Sequence, residues 1–181
     1  MARIDYADTA ALEGLAARAF GNAPPLNIFR MLAHAGPLFG RFMQFGQGIL
    51  AETELDPQLR ELAILRVGHL SGAPYEVQQH ETIARQMKMR EPLIAAARTG
   101  DTAALSDIEA QVLAFTDDIV KNVRAGDDTF LPLIGALGPR QVQELTITIG
   151  FYMLVSRFLE TFGVDLEPGQ VPGLANMTRT T

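Results

Sequence analysis

Between Leu59 and Leu70 the chain reads LRELAILRVGHL, an apolar run broken only by Arg60, Glu61, Arg66 and His69. Its boundaries are explicit. Asp56 before Pro57 supplies an N-cap with proline at the first helical position, Ser71-Gly72 supplies the exit, and Pro74 opens a second helix that continues to Met87. On a helical period Glu61 shares a stripe with Ile64, Leu65 and Gly68, and Glu76 and His80 share one with Ile83, Ala84 and Met87. Three ionisable groups therefore point along stripes that should face a core.

The same periodicity organises the flanks. Ala11, Leu12, Leu15, Ala16 and Ala19 predict a short helix from Asp8 to Phe20, ended by Gly21-Asn22 and Pro24-Pro25. A second helical stretch runs from Asn27 to Ala35, breaks at Gly36-Pro37 and resumes through Phe45, carrying Phe39, Phe42 and Met43 as core or as one wall of a pocket. Leu93 to Arg98 reads as a short helix closed by Thr99-Gly100-Asp101. Ser106 and Glu109 have the spacing of a capping box and open a helix with Val112, Leu113, Phe115, Thr116, Ile119 and Val120 as its buried stripe. Asp127-Asp128-Thr129 starts another helix before Gly138-Pro139. The most apolar stretch follows, from Gln141 to Phe162, and predicts one long buried helix. Glu144 and Arg157 bound its apolar run short of the roughly 20 residues of a membrane span. Residues 164–181, with Pro168-Gly169 and Pro172-Gly173, predict an irregular tail. The expected architecture is one all-α domain over residues 1–181, with the two central helices antiparallel.

Composition narrows the chemistry. A chain of 181 residues buries about 70% of its extended surface, enough for a core without staples. Cysteine is absent, which removes disulfides, thiolate nucleophiles and Cys-ligated metal centres. A net charge of −6 without clustered Lys or Arg argues against nucleic acid. Acids at Asp5 and Asp8 interrupt the place of a secretory signal, so a cytoplasmic location is expected. A helix apolar nearly all round needs cover on every side, and a second copy of the chain can supply part of it. Glu76 and His80 have an i,i+4 spacing that suits a metal, but His34 and His69 add no further ligand spacing, so no metal or other cofactor is expected.

Burial raises the pKa of a carboxyl and lowers that of an imidazole, bringing both toward neutral pH, where proton transfer is effective. Glu61, Glu76 and His80 are accordingly the candidate acid–base groups. The plain alternative is a mutually satisfied i,i+4 pair without function.

The Arg60-Glu61-Leu62-Ala63-Ile64-Leu65-Arg66 run, the Tyr75-Glu76 pair and His80 resemble the core of the carboxymuconolactone decarboxylase family, which includes the alkylhydroperoxidase D-type thiol peroxidases. In the peroxidase branch a Glu precedes a Cys-x-x-Cys-x-x-x-His motif by about three helical turns. Counting back from His80, the two cysteine places fall on Ala73 and Glu76 and the glutamate place on Glu61, so the chain is similar to the thiol-free decarboxylase branch. The resemblance covers residues 20–167 loosely, with a core at 56–125. It implies an alkylhydroperoxidase D-like helical bundle, a homotrimer or homohexamer, and a cofactor-independent lyase acting on a small carboxylated lactone or a related aromatic-degradation metabolite. In that reading His80 donates or shuttles the proton, Glu76 fixes its tautomer from one turn away or acts as a second acid–base group, and Glu61 supports from the preceding helix. Tyr75 donates a hydrogen bond at the pocket edge, and Arg66, Arg85 or Arg157 holds the substrate carboxylate. The alternative is a binding or assembly protein that keeps the fold and not the activity.

Overall fold

The computed structural model describes residues 1–8 and 25–168. The helix expected from Asp8 to Phe20 and the tail beyond residue 168 lie outside the described residues. What is described is all-α, without a strand: α1 (Asn27–Leu32), a 3-10 turn (Ala33–Ala35), α2 (Pro37–Ala51), α3 (Pro57–Leu70), α4 (Pro74–Gln86), α5 (Glu91–Thr99), α6 (Asp107–Asn122) and α7 (Asp127–Phe162). Asp56 caps α3 by accepting from the backbone N–H of Gln58 at 2.8 Å and of Leu59 at 3.2 Å. Ser106 and Glu109 close the capping box of α6.

α3 is the central element. Every residue from Leu59 to Gly68 is buried, and the helix packs against α4, α5, α6 and α7. A helix surrounded in this way has no polar face to spare, so Arg60, Glu61 and Arg66 are carried inside with it. The α3–α4 turn is tight, and the two helices approach closely at Gly68. A Cβ there would lie 3.3 Å from Val77 Cγ2 and 3.4 Å from Glu76 Cβ, and the missing side chain lets the backbones close up. Gly68 opposite Glu76 and Glu61 opposite His80 fix the hairpin as antiparallel, as its sequence implies.

α7 joins two expected helices in one element. Gly138 interrupts it with φ 76° and ψ 170°, a conformation essentially confined to glycine, and Pro139 starts the second segment. Val142, Leu145, Ile149, Tyr152, Val155 and Leu159 then form the inward stripe. By length and composition α7 is apolar enough to cross a membrane, further than the expected boundaries at Glu144 and Arg157 allowed. Its buried stripe is instead spent on α3 and α6, the packing of a core helix.

Candidate functional site

Where α3, α4 and α7 meet, Glu61 and His80 face each other across the hairpin. His80 Nδ1–H donates to Glu61 Oε1 at 2.6 Å, with both residues buried. One turn back on α4, Glu76 Oε2 lies 3.5 Å from His80 Nε2. The Tyr152 ring meets the imidazole edge-on, with centroids 4.9 Å apart and planes at 89°. Arg60, also buried, stands behind the carboxylates and donates to Thr53 Oγ1 at 3.1 Å. In front lies a partly open cavity of about 80 Å³, walled chiefly by Phe29, Phe42, Met43, Phe151 and Val155, with Glu76, Gln79 and His80 on its floor. Among the described residues Glu76 Oε2 and Gln79 Nε2 are buried without a hydrogen-bond partner.

Protonation follows from these contacts. Burial pushes the Glu76 carboxyl up to about 7 from 4.5, against the nearby His80 charge, and Glu61 adds to the rise. For His80 burial acts downward, but the charge of Glu61, its hydrogen bond and the charge of Glu76 together outweigh it and hold the imidazole above 6.5. The expected lowering of a buried imidazole is thus reversed by its partner. Burial also raises Tyr152 well above 10, so that its hydroxyl stays neutral.

Several expected roles change. Glu61, not Glu76, fixes the His80 tautomer, because it alone reaches Nδ1, whereas Glu76 lies on the Nε2 side. Tyr75 does line the cavity, but its hydroxyl donates to Glu167 at 2.5 Å and receives the Ile28 N–H at 3.4 Å, so it ties residues 164–168 and α1 to α4. None of the three expected arginines lines the cavity. Arg66 pairs with Asp117 on α6 at 2.5 and 2.8 Å and donates to Ala97 O, which makes it a strut between helices. Arg85 sits at the surface between Glu81 and Glu91, and Arg157 is exposed and donates to Met153 O. His34 is exposed and bonds Asp5 O at 2.9 Å. Tyr152, Gln79 and Arg60 were missed. The signal for Tyr152 was a phenol inside an otherwise apolar run, where its hydroxyl needs a reason. Among the described residues no three His, Asp or Glu side chains are arranged to hold a metal ion.

Residues 37–118 match the carboxymuconolactone decarboxylase family. The matched stretch, a little under half of the chain, is similar to that family. It begins at α2, earlier than the core expected at 56–125, and holds Glu61, Glu76 and His80. Comparison with curated proteins gives no match. Among solved structures, an uncharacterized peroxidase-related protein from Ralstonia eutropha JMP134, described as an alkylhydroperoxidase AhpD core, superposes with a TM-score of 0.80 at 16% identity, covering 98% of this chain and 94% of its own. A protein of unknown function from Agrobacterium tumefaciens gives 0.71 at 18% identity, covering 76% and 96%. An uncharacterized peroxidase-related protein from Silicibacter sp. TM1040 gives 0.69 at 15%, covering 79% and 78%. At these identities the likeness is one of fold, and it establishes the AhpD-like helical architecture. Thiol chemistry is closed to this domain, since the chain has no cysteine.

The raised carboxyl has a consequence for stability. Between about pH 4.5 and pH 7 the folded state holds a proton on Glu76 that the unfolded chain has released, so stability falls as pH rises through this window and is level above it. His80, also raised, adds stability at low pH that is lost as pH passes its folded value. At about 1.4 kcal/mol per unit, the Glu76 share is on the order of 3 kcal/mol. Glu76→Gln should therefore lose part of the pH slope and be more stable than the wild type at pH 8 by denaturant titration. A variant that is less stable there, with the slope intact, would contradict the assignment.

Proposed function

We propose that the protein is a cofactor-independent acid–base enzyme of lyase type that moves a proton to or from carbon on a small substrate bound in the cavity beside His80. The arrangement that carries this reading is the oriented imidazole: Nδ1 is committed to Glu61, which leaves Nε2 for Glu76 and the cavity. A carboxyl raised to about 7 beside an imidazole held above 6.5 forms an acid–base pair suited to physiological pH. In the step itself a C–H or C–C bond α to a carbonyl breaks and its electron pair moves onto the carbonyl oxygen; where the bond is C–H, the Glu76 carboxylate at the cavity takes the proton, and where it is C–C, carbon dioxide leaves. The Gln79 Nε2 amide, which has no hydrogen-bond partner among the described residues, donates to that oxygen. The pair returns to carbon with the proton that His80 Nε2 supplies, and Glu76 restores it. Isomerisation and decarboxylation share this protonation at carbon and differ in the leaving group, a proton or carbon dioxide. A cavity beside His80 favours this reading over the binding or assembly alternative, which calls for a histidine sealed in packed core.

The same proposal places the enzyme in the cytoplasm as a homotrimer or homohexamer. Leu38 and Phe45 on α2, 67% and 53% exposed, share an apolar groove with Ile147 and Leu154 on α7, 47% and 53% exposed. Such a groove is what a second copy would cover. Light scattering at micromolar concentration should give a trimer or hexamer, and Leu154→Glu should lower the mass. A wild-type monomer would contradict the assembly.

Proton transfer itself is measurable without the natural substrate. In deuterium oxide the protein should catalyse hydrogen–deuterium exchange at the α-carbon of small ketones or lactones, followed by NMR. His80→Ala should lower that rate by about 10²- to 10⁴-fold, and Glu76→Gln by a similar factor, measured below the melting transition of each variant and with the helical circular dichroism spectrum retained. Exchange that persists at the wild-type rate in His80→Ala would end the catalytic reading.

A further inference from the structure

The chemistry of the cavity wall bears on what it admits. Among the described residues its lining contains no Lys or Arg. Arg66, Arg85 and Arg157 are engaged elsewhere. Arg60, the one buried cation close to the cluster, lies outside the lining and is turned to Thr53. The charges on the floor and directly behind it already balance. Arg60 and Glu61 come from α3, and His80 and Glu76 come from α4, two positive and two negative when all are ionised, while Tyr152 and Tyr75 are neutral. A carboxylate brought into this apolar space would be a fifth charge without a partner, beside a Glu76 oxygen that already has no hydrogen bond among the described residues. An uncharged carbonyl or hydroxyl needs only a donor, and Gln79 Nε2 and His80 Nε2 provide two. The size is also restrictive. At about 80 Å³ the cavity is well below the roughly 150 Å³ that takes benzene in an engineered protein core, so a ligand of a handful of heavy atoms fits, with any excess at the open side.

We propose that this site selects a small, uncharged, largely apolar carbonyl or hydroxyl compound and excludes carboxylates, in contrast to the carboxylated lactone in the family's name. The proposal rests on the cavity being the substrate site and narrows the function proposed above to its isomerisation branch, because decarboxylation needs a carboxylate.

Two probes of the same branched shape separate the possibilities: 3-methyl-2-butanone, which is neutral, and isobutyrate, which carries a carboxylate in place of the acetyl group. Binding to the full chain is followed at pH 8 by NMR through the resonances of His80 and Tyr152. The ketone should bind at least about tenfold more tightly than isobutyrate. In Glu76→Gln the floor has one negative charge fewer, so isobutyrate should gain on the ketone and the ratio should narrow. Equal or preferential binding of isobutyrate by the wild type, a ratio unchanged by Glu76→Gln, or no response of His80 and Tyr152 to either probe would overturn the proposal. Because the readout is binding, a failure here is distinct from a failure of proton transfer, which the exchange rate of His80→Ala decides.

Discussion

The hydrogen bond from His80 Nδ1 to Glu61 Oε1 is the contact on which the rest of this site depends. It crosses the α3–α4 hairpin at depth, so both charged groups are desolvated. A pair of this kind is stable only if its geometry is good and its remaining polar atoms have somewhere to go. Removing one partner typically costs about 3–5 kcal/mol because the other charge is left buried and alone. The hairpin supplies the geometry. Gly68 brings the backbones together, and Glu61 and His80 then face each other from adjacent helices without off-axis reach. The remaining atoms are less fully satisfied: among the described residues Glu61 Oε2 and Glu76 Oε2 are buried without a hydrogen bond, and Glu76 Oε2 has only His80 Nε2 nearby at 3.5 Å.

Packing around the pair explains why the site survives inside a helical bundle. α3 is enclosed by four other helices, and Arg66 secures two of them at once by bridging to Asp117 on α6 and to the Ala97 carbonyl on α5. α7 closes the third side with Tyr152 against the imidazole edge. Residues 164–168 return to the first helices through Glu167, whose Oε1 accepts from Tyr75 Oη at 2.5 Å and from the Asn27 N–H at 2.6 Å. The acid–base cluster is thus set on rigid helices, with supporting contacts from distant parts of the chain, which is the condition for keeping catalytic groups in register.

Much of this was legible in the sequence because it is encoded locally. Asp56-Pro57, Ser71-Gly72 and Pro74 mark the hairpin, Ser106 and Glu109 mark α6, and the helical period alone places Glu61, Glu76 and His80 on inward stripes. What a helical period cannot give is which carboxylate meets which ring nitrogen. That depends on the relative rotation of two helices, and there Glu61 took the orienting role assigned to Glu76. The arginines failed for a related reason. Arg66 has its partner 51 residues away, and no local pattern separates a cation that binds substrate from one that braces two helices. Tyr152 was hidden by its neighbours, since an apolar run reads as core whether or not one member faces a cavity. The direction of the His80 shift was a question of magnitudes: burial was foreseen, and the nearby carboxylates that outweigh it were not paired with the ring.

The central claim is that Glu61 holds His80 as a Nδ1-protonated, readily charged imidazole. Nitrogen-15 NMR of the histidine side chains across a pH titration tests it directly. His80 should titrate above 6.5 with Nδ1 retaining its proton throughout, and Glu61→Gln should bring the midpoint down as the carboxylate's charge is lost and burial prevails. A His80 that titrates below 6.5 in the wild type, or whose midpoint and tautomer are indifferent to Glu61→Gln, would contradict the account.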